Sequence, residues 1–220
     1  MYYARELKMS MFTICTAIVC QGELEQQISG FVDSEKTFTR EIGVLEREFY
    51  QCIQQPHIIW SNTRWKSEKA HNDAAERIMK VRKDDRIASA YFQPGLYFEI
   101  FCKEIKEVQY DVPEKNPANL IVISHGLIAL KKLEQWNQII RETSKDLRAI
   151  EGLAFCRAFY NYYNPTEFVG FMGWKSQEDY QKHRMIEDLT IEEHMYTGLK
   201  KSSKTLAAYN QFYCRPLKVK

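Results

Sequence analysis

Trp65-Lys66-Ser67-Glu68 and Trp174-Lys175-Ser176-Gln177-Glu178-Asp179-Tyr180-Gln181-Lys182-His183 begin alike and lie 109 residues apart. The same offset places Leu24-Glu25-Gln26 on Leu133-Glu134-Gln135, Lys36 on Lys145, Gly43 on Gly152 and Pro56 on Pro165, nine identities over positions 24–67. Gly, Pro and Trp weigh most among these, because each has a restricted use: a turn, a fixed φ, a large buried ring. Beyond the Trp the offset becomes 112, with Tyr97 on Tyr209, Cys102 on Cys214 and Lys106 on Lys218. An internal period of this kind has to be explained before any single element is assigned. The chain is expected to be two copies of one unit of roughly 100 residues, over 9–108 and 119–220, joined by the polar, Pro-bearing linker 109–118.

Both copies carry the same pattern. An apolar, β-branched run (Phe12–Val19, Leu120–Ile128) predicts a strand. Leu24, Ile28, Phe31, Val32 and Phe38, and then Leu133, Trp136, Ile140 and Leu147, recur near helical spacing and predict an amphipathic helix. After Gly43 or Gly152 comes a strand, then a Pro-marked turn, then a strand ending on Trp65 or Trp174. Ser67 and Ser176 read as N-caps of a second helix, with Glu68 or Glu178 in its first turn. A closing strand is expected over Leu96–Ile105 and Tyr209–Leu217. The order βαββαβ is a ferredoxin-like unit, so the fold class is α+β. An open four-stranded sheet must cover its bare face, and two such units can pack sheet to sheet in one chain.

The 220 residues carry 31 basic and 29 acidic side chains, a net charge of +2, which offers no field for a nucleic-acid backbone. The 13 Tyr, 12 Phe and 4 Trp point instead to flat interfaces or an aromatic-lined cavity. Six cysteines show no C-x-x-C spacing, so neither a disulfide framework nor a zinc site is expected. Arg5 and Lys8 before the apolar run to Cys20 have a faint signal-peptide character. The same run recurs mid-chain at Ile121–Leu130, which favours a buried strand and a cytoplasmic protein without a membrane partner.

The strand, the Trp-Lys-Ser-x-Glu start of a helix and the His beyond it, preceded by Gly and Pro in a hairpin, resemble the antibiotic-biosynthesis-monooxygenase family of small dimeric α/β barrels. The resemblance spans nearly the whole chain as two tandem copies and is most specific over Trp174–His183. It implies an intramolecular version of the family dimer, a monomeric pseudo-dimer or a homodimer of it. It also implies a monooxygenase that uses neither metal nor cofactor and acts on a small aromatic or quinone-type molecule. The alternative is a binding or interaction protein that keeps the barrel without the chemistry, with haem binding as a lesser variant.

Such an oxygenase needs an apolar cavity, a group to take a phenolic proton and donors for the developing oxyanion. By resemblance the Trp and Tyr of that site fall on Trp174 and Tyr180, with His183 matching the family His. The expected Asn has no match between Gly170 and Gly173; in copy one Asn62 lies near that place in sequence, with Trp65 and His71. His71 pairs with Tyr180 at offset 109 and with His183 at 112. Trp65 and Trp174 also read simply as rings plugging a strand-to-helix corner, and His71 and His183 as solvated or backbone-bonded helix histidines. His125, in the first strand of copy two, reads two ways: as a further catalytic candidate inside an apolar cavity, where burial would keep its imidazole neutral, or as a satisfied core or rim histidine. Along Phe159–Tyr163, alternation puts Tyr160 and Tyr162 on one strand face, where they could meet a flat ligand.

Overall fold

In a computed structural model the residues described are 11–19, 25, 28, 43–84, 92–111, 117–186 and 209–217. The chain divides into two compact units, the first ending at Cys102 and the second running from Lys103 to Pro216, with Leu217 grouped with the first. No helix among the described residues is long and apolar enough to cross a membrane.

The first unit contains β1 (Met11–Val19), β2 (Val44–Cys52), β3 (Ile58–Trp65), α1 (Glu68–Asp84) and β4 (Phe92–Glu104, crossing the boundary). Its strands lie in the order β4-β1-β3-β2, all antiparallel. The helix expected over Leu24–Phe38 falls mostly outside the described residues; Glu25 and Ile28 are helical and Ile28 is buried.

The second unit contains β5 (Tyr110–Asp111), β6 (Leu120–Leu127), α2 (Leu133–Thr143), β7 (Leu153–Asn161), β8 (Glu167–Trp174), α3 (Gln177–Ile186) and β9 (Tyr209–Pro216). Its order is β9-β6-β8-β7-β5, again antiparallel. Registers agree position by position: Met11 faces Trp65 as Leu120 faces Trp174, and Thr13 faces Phe101 as Val122 faces Tyr213. Even the irregularity recurs, between Val44 and Glu46 in β2 and between Leu153 and Phe155 in β7. The polar stretch after Gln109 is tied to the second unit, since Tyr110 and Asp111 pair with Cys156 and Phe155 and Arg157 reaches Asp111 at 3.1 Å.

Side chains alternate across each strand. In the second unit Leu120, Val122, Phe168 and Trp174 share one core with Trp136, Ile140 and Leu147. Ile121, Ile123, Val169 and Phe171 therefore point to the other face, and they are fully buried as well. Strands covered on both faces read as continuous apolar runs, which accounts for the unbroken hydrophobic character of β6.

The Gly-to-Trp corner is built the same way twice. Gly43 and Gly152 have φ of +88° and +82°, the left-handed region where a Cβ is strained. Each lends its carbonyl to the next corner, accepting from Lys66 N and Lys175 N at 2.9 Å. Ser67 and Ser176 cap α1 and α3, their hydroxyls accepting from Ala70 N at 3.1 Å and Asp179 N at 3.0 Å. A Cβ on Gly43 would come within 3.1 Å of the Ala70 Cβ, and one on Gly152 within 2.3 Å of the Asp179 Cβ.

Candidate functional site

In the second unit the corner brings three of the expected residues together. Trp174 is wholly buried at the end of β8, and α3 carries Tyr180 and His183 past it, one helical turn apart on the same face. Ring centroids lie 5.5 Å apart for Trp174–Tyr180 and 5.2 Å for Trp174–His183. The Tyr180 hydroxyl meets that of Tyr213 at 3.2 Å, and Tyr213 donates to Gln211 Oε1 at 3.0 Å. The Trp174 Nε1 is buried without an acceptor among the described residues. Beside His183 opens a groove of about 290 Å³ lined by Asp146, Ala149, Ile150, Glu151, Asp179 and Lys182. That volume approaches the lower end of small-molecule sites, about 300–1,000 Å³. Lys182 pairs with Glu178 at 3.0 Å, and this carboxylate holds the exposed ammonium above its ordinary pKa.

The equivalent corner of the first unit is different chemically. His71 N bonds to Ser67 O as Tyr180 N bonds to Ser176 O, so His71 occupies the place of Tyr180, not of His183. Its ring meets Trp65 at 5.1 Å and Phe101 at 4.9 Å, edge-on. His71 Nε2 lies 3.1 Å from Glu99 Oε1 and Nδ1 lies 3.0 Å from Asn72 Oδ1. Burial works to lower the pKa of His71, but the hydrogen bonds from Glu99 and Asn72 and the charges of Glu99 and Glu68 outweigh it and raise it. Burial likewise pushes Glu99 up, and is overcome by His71 and by hydrogen bonds from Cys15 and Thr13, which leave it lowered. The Trp65 indole donates to Thr13 Oγ1 at 2.8 Å. Val122 stands at that register in the second unit, which is why Trp174 lacks this partner.

Other expected residues fall elsewhere. Asn62 precedes Trp65 by three, so strand parity turns it to the opposite face of β3, away from His71. His125 sits on the face of β6 opposite Trp174, bonded to Glu167 Oε1 at 2.8 Å, and Asn161 donates to Glu167 Oε2 at 2.6 Å. In place of an imidazole isolated among apolar groups, there is a carboxylate-paired one, and it does not join the Trp174 cluster.

The alternation expected through Tyr162 is corrected by the structure. β7 ends at Asn161, whose side-chain oxygen accepts from Tyr163 N at 2.8 Å and Asn164 N at 3.3 Å and folds the chain into a turn. Tyr162 is thus 59% exposed, while Tyr160 packs against the helix-side core and donates to Asn137 Oδ1.

A second cavity was not foreseen. It measures about 60 Å³ and lies between α2 and the sheet of the second unit, with Ser124, Trp136, Ile140, Ala158, Gly170 and Met172 among its walls. Cys156, also on the wall, is fully enclosed, and burial together with the Asp111 charge pushes its thiol up to about 12, so it stays protonated. The Trp136 ring stacks tilted on Phe168 at 4.6 Å, and its Nε1 is buried with no acceptor among the described residues. An unmet buried donor costs about 1–3 kcal/mol, so its retention calls for a reason.

No family model and no curated protein matches the chain. Solved structures do. A candidate monooxygenase from Fusobacterium nucleatum superposes with TM-score 0.71 at 12% identity, covering 96% of this chain and 94% of that one. An anthrone oxidase-like protein gives 0.66 at 8%, covering 96% and 92%. A ferredoxin-fold protein related to antibiotic biosynthesis monooxygenases, from Listeria monocytogenes, gives 0.56 at 8%, covering 96% and 98%. At such identities the likeness establishes the fold alone: this chain has the α+β fold of monooxygenase-like ferredoxin-fold proteins.

Proposed function

We propose that the chain is a tandem pair of ferredoxin-like units, packed sheet to sheet as the family resemblance implies, whose second unit binds a small hydroxylated aromatic molecule and oxidises it without metal or cofactor. The observation that carries this is the double position of His183, at once a wall of the 290 Å³ groove and tilted against the Trp174 ring. A phenol in the groove would give its proton to His183, with the ring edge against Ile150 and hydroxyls toward Asp146 and Glu151. The deprotonated ring is the electron donor. Dioxygen would place one oxygen atom on a ring carbon and leave with the other as water, the two C–H and O–H hydrogens of the phenol balancing the product quinone. Tyr180, its hydroxyl donating to Tyr213 and so on toward Gln211, would hold the Trp174 ring in place and act as a positioning residue.

The test is oxygen uptake with a hydroxyanthrone or hydroquinone, alongside quenching of Trp fluorescence by the same compound. Wild type is expected to consume one dioxygen per quinone formed. His183→Ala should slow turnover by about 10²-fold, the scale of one positioned proton-transfer group, and Tyr180→Phe by a smaller factor. Binding with no uptake would favour the second reading, a binding protein. The enclosure of Trp174 and the engagement of the Tyr180 hydroxyl by Tyr213 support that alternative. Absence of both binding and uptake would overturn the assignment of this groove.

A further inference from the structure

We propose that the 60 Å³ cavity beneath α2 is a binding pocket for an apolar molecule of two or three heavy atoms, and that this molecule is dioxygen; the choice of dioxygen rests on the oxygenase reading above, while the pocket itself does not.

The space is made by a row of small side chains. Ser124, Gly170 and Ala158 stand directly opposite one another on β6, β8 and β7, all on the face that α2 covers. A Cβ added at Gly170 would touch nothing within 4 Å. The matching row of the first unit is Cys15, Ser61 and Phe49, with the Phe49 side chain buried. Three small residues in register under a Trp and an Ile leave an opening that no neighbour fills.

Size and chemistry then select the occupant. A dry cavity of about 150 Å³ is what admits benzene, so 60 Å³ admits no aromatic ring. Water asks for two to four polar partners, whereas the walls are almost entirely carbon. The Cys156 thiol is neutral, and the guanidinium of Arg157 is engaged by Asp111. The Trp136 ring forms part of the wall, and its indole N–H is buried without an acceptor among the described residues. Dioxygen meets both conditions: it is small and favours apolar surroundings.

The experiment uses the whole chain with 15N-labelled tryptophan, under xenon pressure and separately under oxygen pressure. The Trp174 indole is an internal control, likewise buried and without an acceptor among the described residues but not on the cavity wall. Xenon should shift the Trp136 indole resonance saturably, and paramagnetic oxygen should broaden it several-fold more than that of Trp174. Gly170→Val should remove both effects while the thermal midpoint holds or rises, because the new methyl groups enter existing space. Ala158→Val is the second filling variant should the first disturb β8. Equal responses at the two indoles, or a water cross-peak to the Trp136 N–H, would overturn the pocket. Where turnover is measurable, Gly170→Val should raise the KM for oxygen without raising that for the phenol; an unchanged KM for oxygen overturns the dioxygen assignment. A shift at Trp136 with no turnover by any phenol would leave the pocket standing and remove the oxygenase reading.

Discussion

The corners at Trp65 and Trp174 share their turn glycine, their capping serine and their strand register, yet one encloses a charged pair and the other a chain of phenols. Thr13, Cys15, His71 and Glu99 in the first unit give way to Val122, Ser124, Tyr180 and Gln211 at the same registers in the second. The backbone is thus fixed by a few local rules, while the chemistry of the enclosed face varies without disturbing them. In the first unit the His71–Glu99 pair ties α1 to the sheet; in the second the neutral Tyr180–Tyr213 contact stands in that place.

The largest expected effect comes from breaking the charged pair. Glu99→Ala leaves His71, only 5% exposed, without its counter-ion. The cost should be about 2–3 kcal/mol in urea unfolding, below the figure for a fully enclosed pair because the Glu99 side chain is 22% exposed. Gln211→Ala, at the same register in the second unit, should cost under about 1 kcal/mol. The pair also sets a pH window. His71 is raised above its ordinary 6.5, so its contribution is complete below that value and is lost as pH climbs through the raised one. Glu99 is lowered from 4.5, so its share is present above that value and disappears as pH falls through the lowered one. Thermal midpoints of wild type minus Glu99→Ala should be widest between these limits; a flat difference from pH 5 to 9 would remove the charged pair from the account.

Next in size are the turn glycines. Gly152→Ala combines positive φ with a collision against the Asp179 Cβ and should cost about 2–3 kcal/mol, against about 1–2 kcal/mol for Gly43→Ala with its looser approach to Ala70. Equal values would mean that the two corners are strained alike. The smallest effect concerns the indoles. Thr13→Val should destabilise by about 1–2 kcal/mol by orphaning the Trp65 N–H, while Val122→Thr should stabilise by up to about 1 kcal/mol by supplying an acceptor to Trp174. Calorimetry on the two single variants and their double compares them directly.

The corners were legible because their signals are local: a glycine before a strand, a serine after a Trp, an acidic first turn. The same holds for the strand starts at Met11 and Leu120. Non-local partners were not legible. Glu99 lies 28 residues from His71, and nothing in the spacing announces a carboxylate on β4 beneath α1. β4 begins at Phe92, before Pro94 and Gly95, because the pairing with β1 is irregular there and accommodates them. The Tyr run misled because alternation presumes a continuing strand, and Asn161 ended it with two side-chain acceptor contacts. The cavity was hidden for a different reason: Ser124, Gly170 and Ala158 are far apart in sequence, and their shared smallness means something only once three strands set them side by side.

The buried thiols serve as clocks of local opening. Cys15, Cys52 and Cys102 are enclosed in the first and Cys156 and Cys214 in the second, all reduced. An enclosed, protonated thiol reacts with an alkylating reagent only while its surroundings are open, so the modification rate at each cysteine reports how often its own surroundings open. Peptide mass spectrometry after timed alkylation would therefore yield an opening rate at each of these cysteines from one unlabelled sample, and a phenol or gas that binds beside Cys156 should slow its modification.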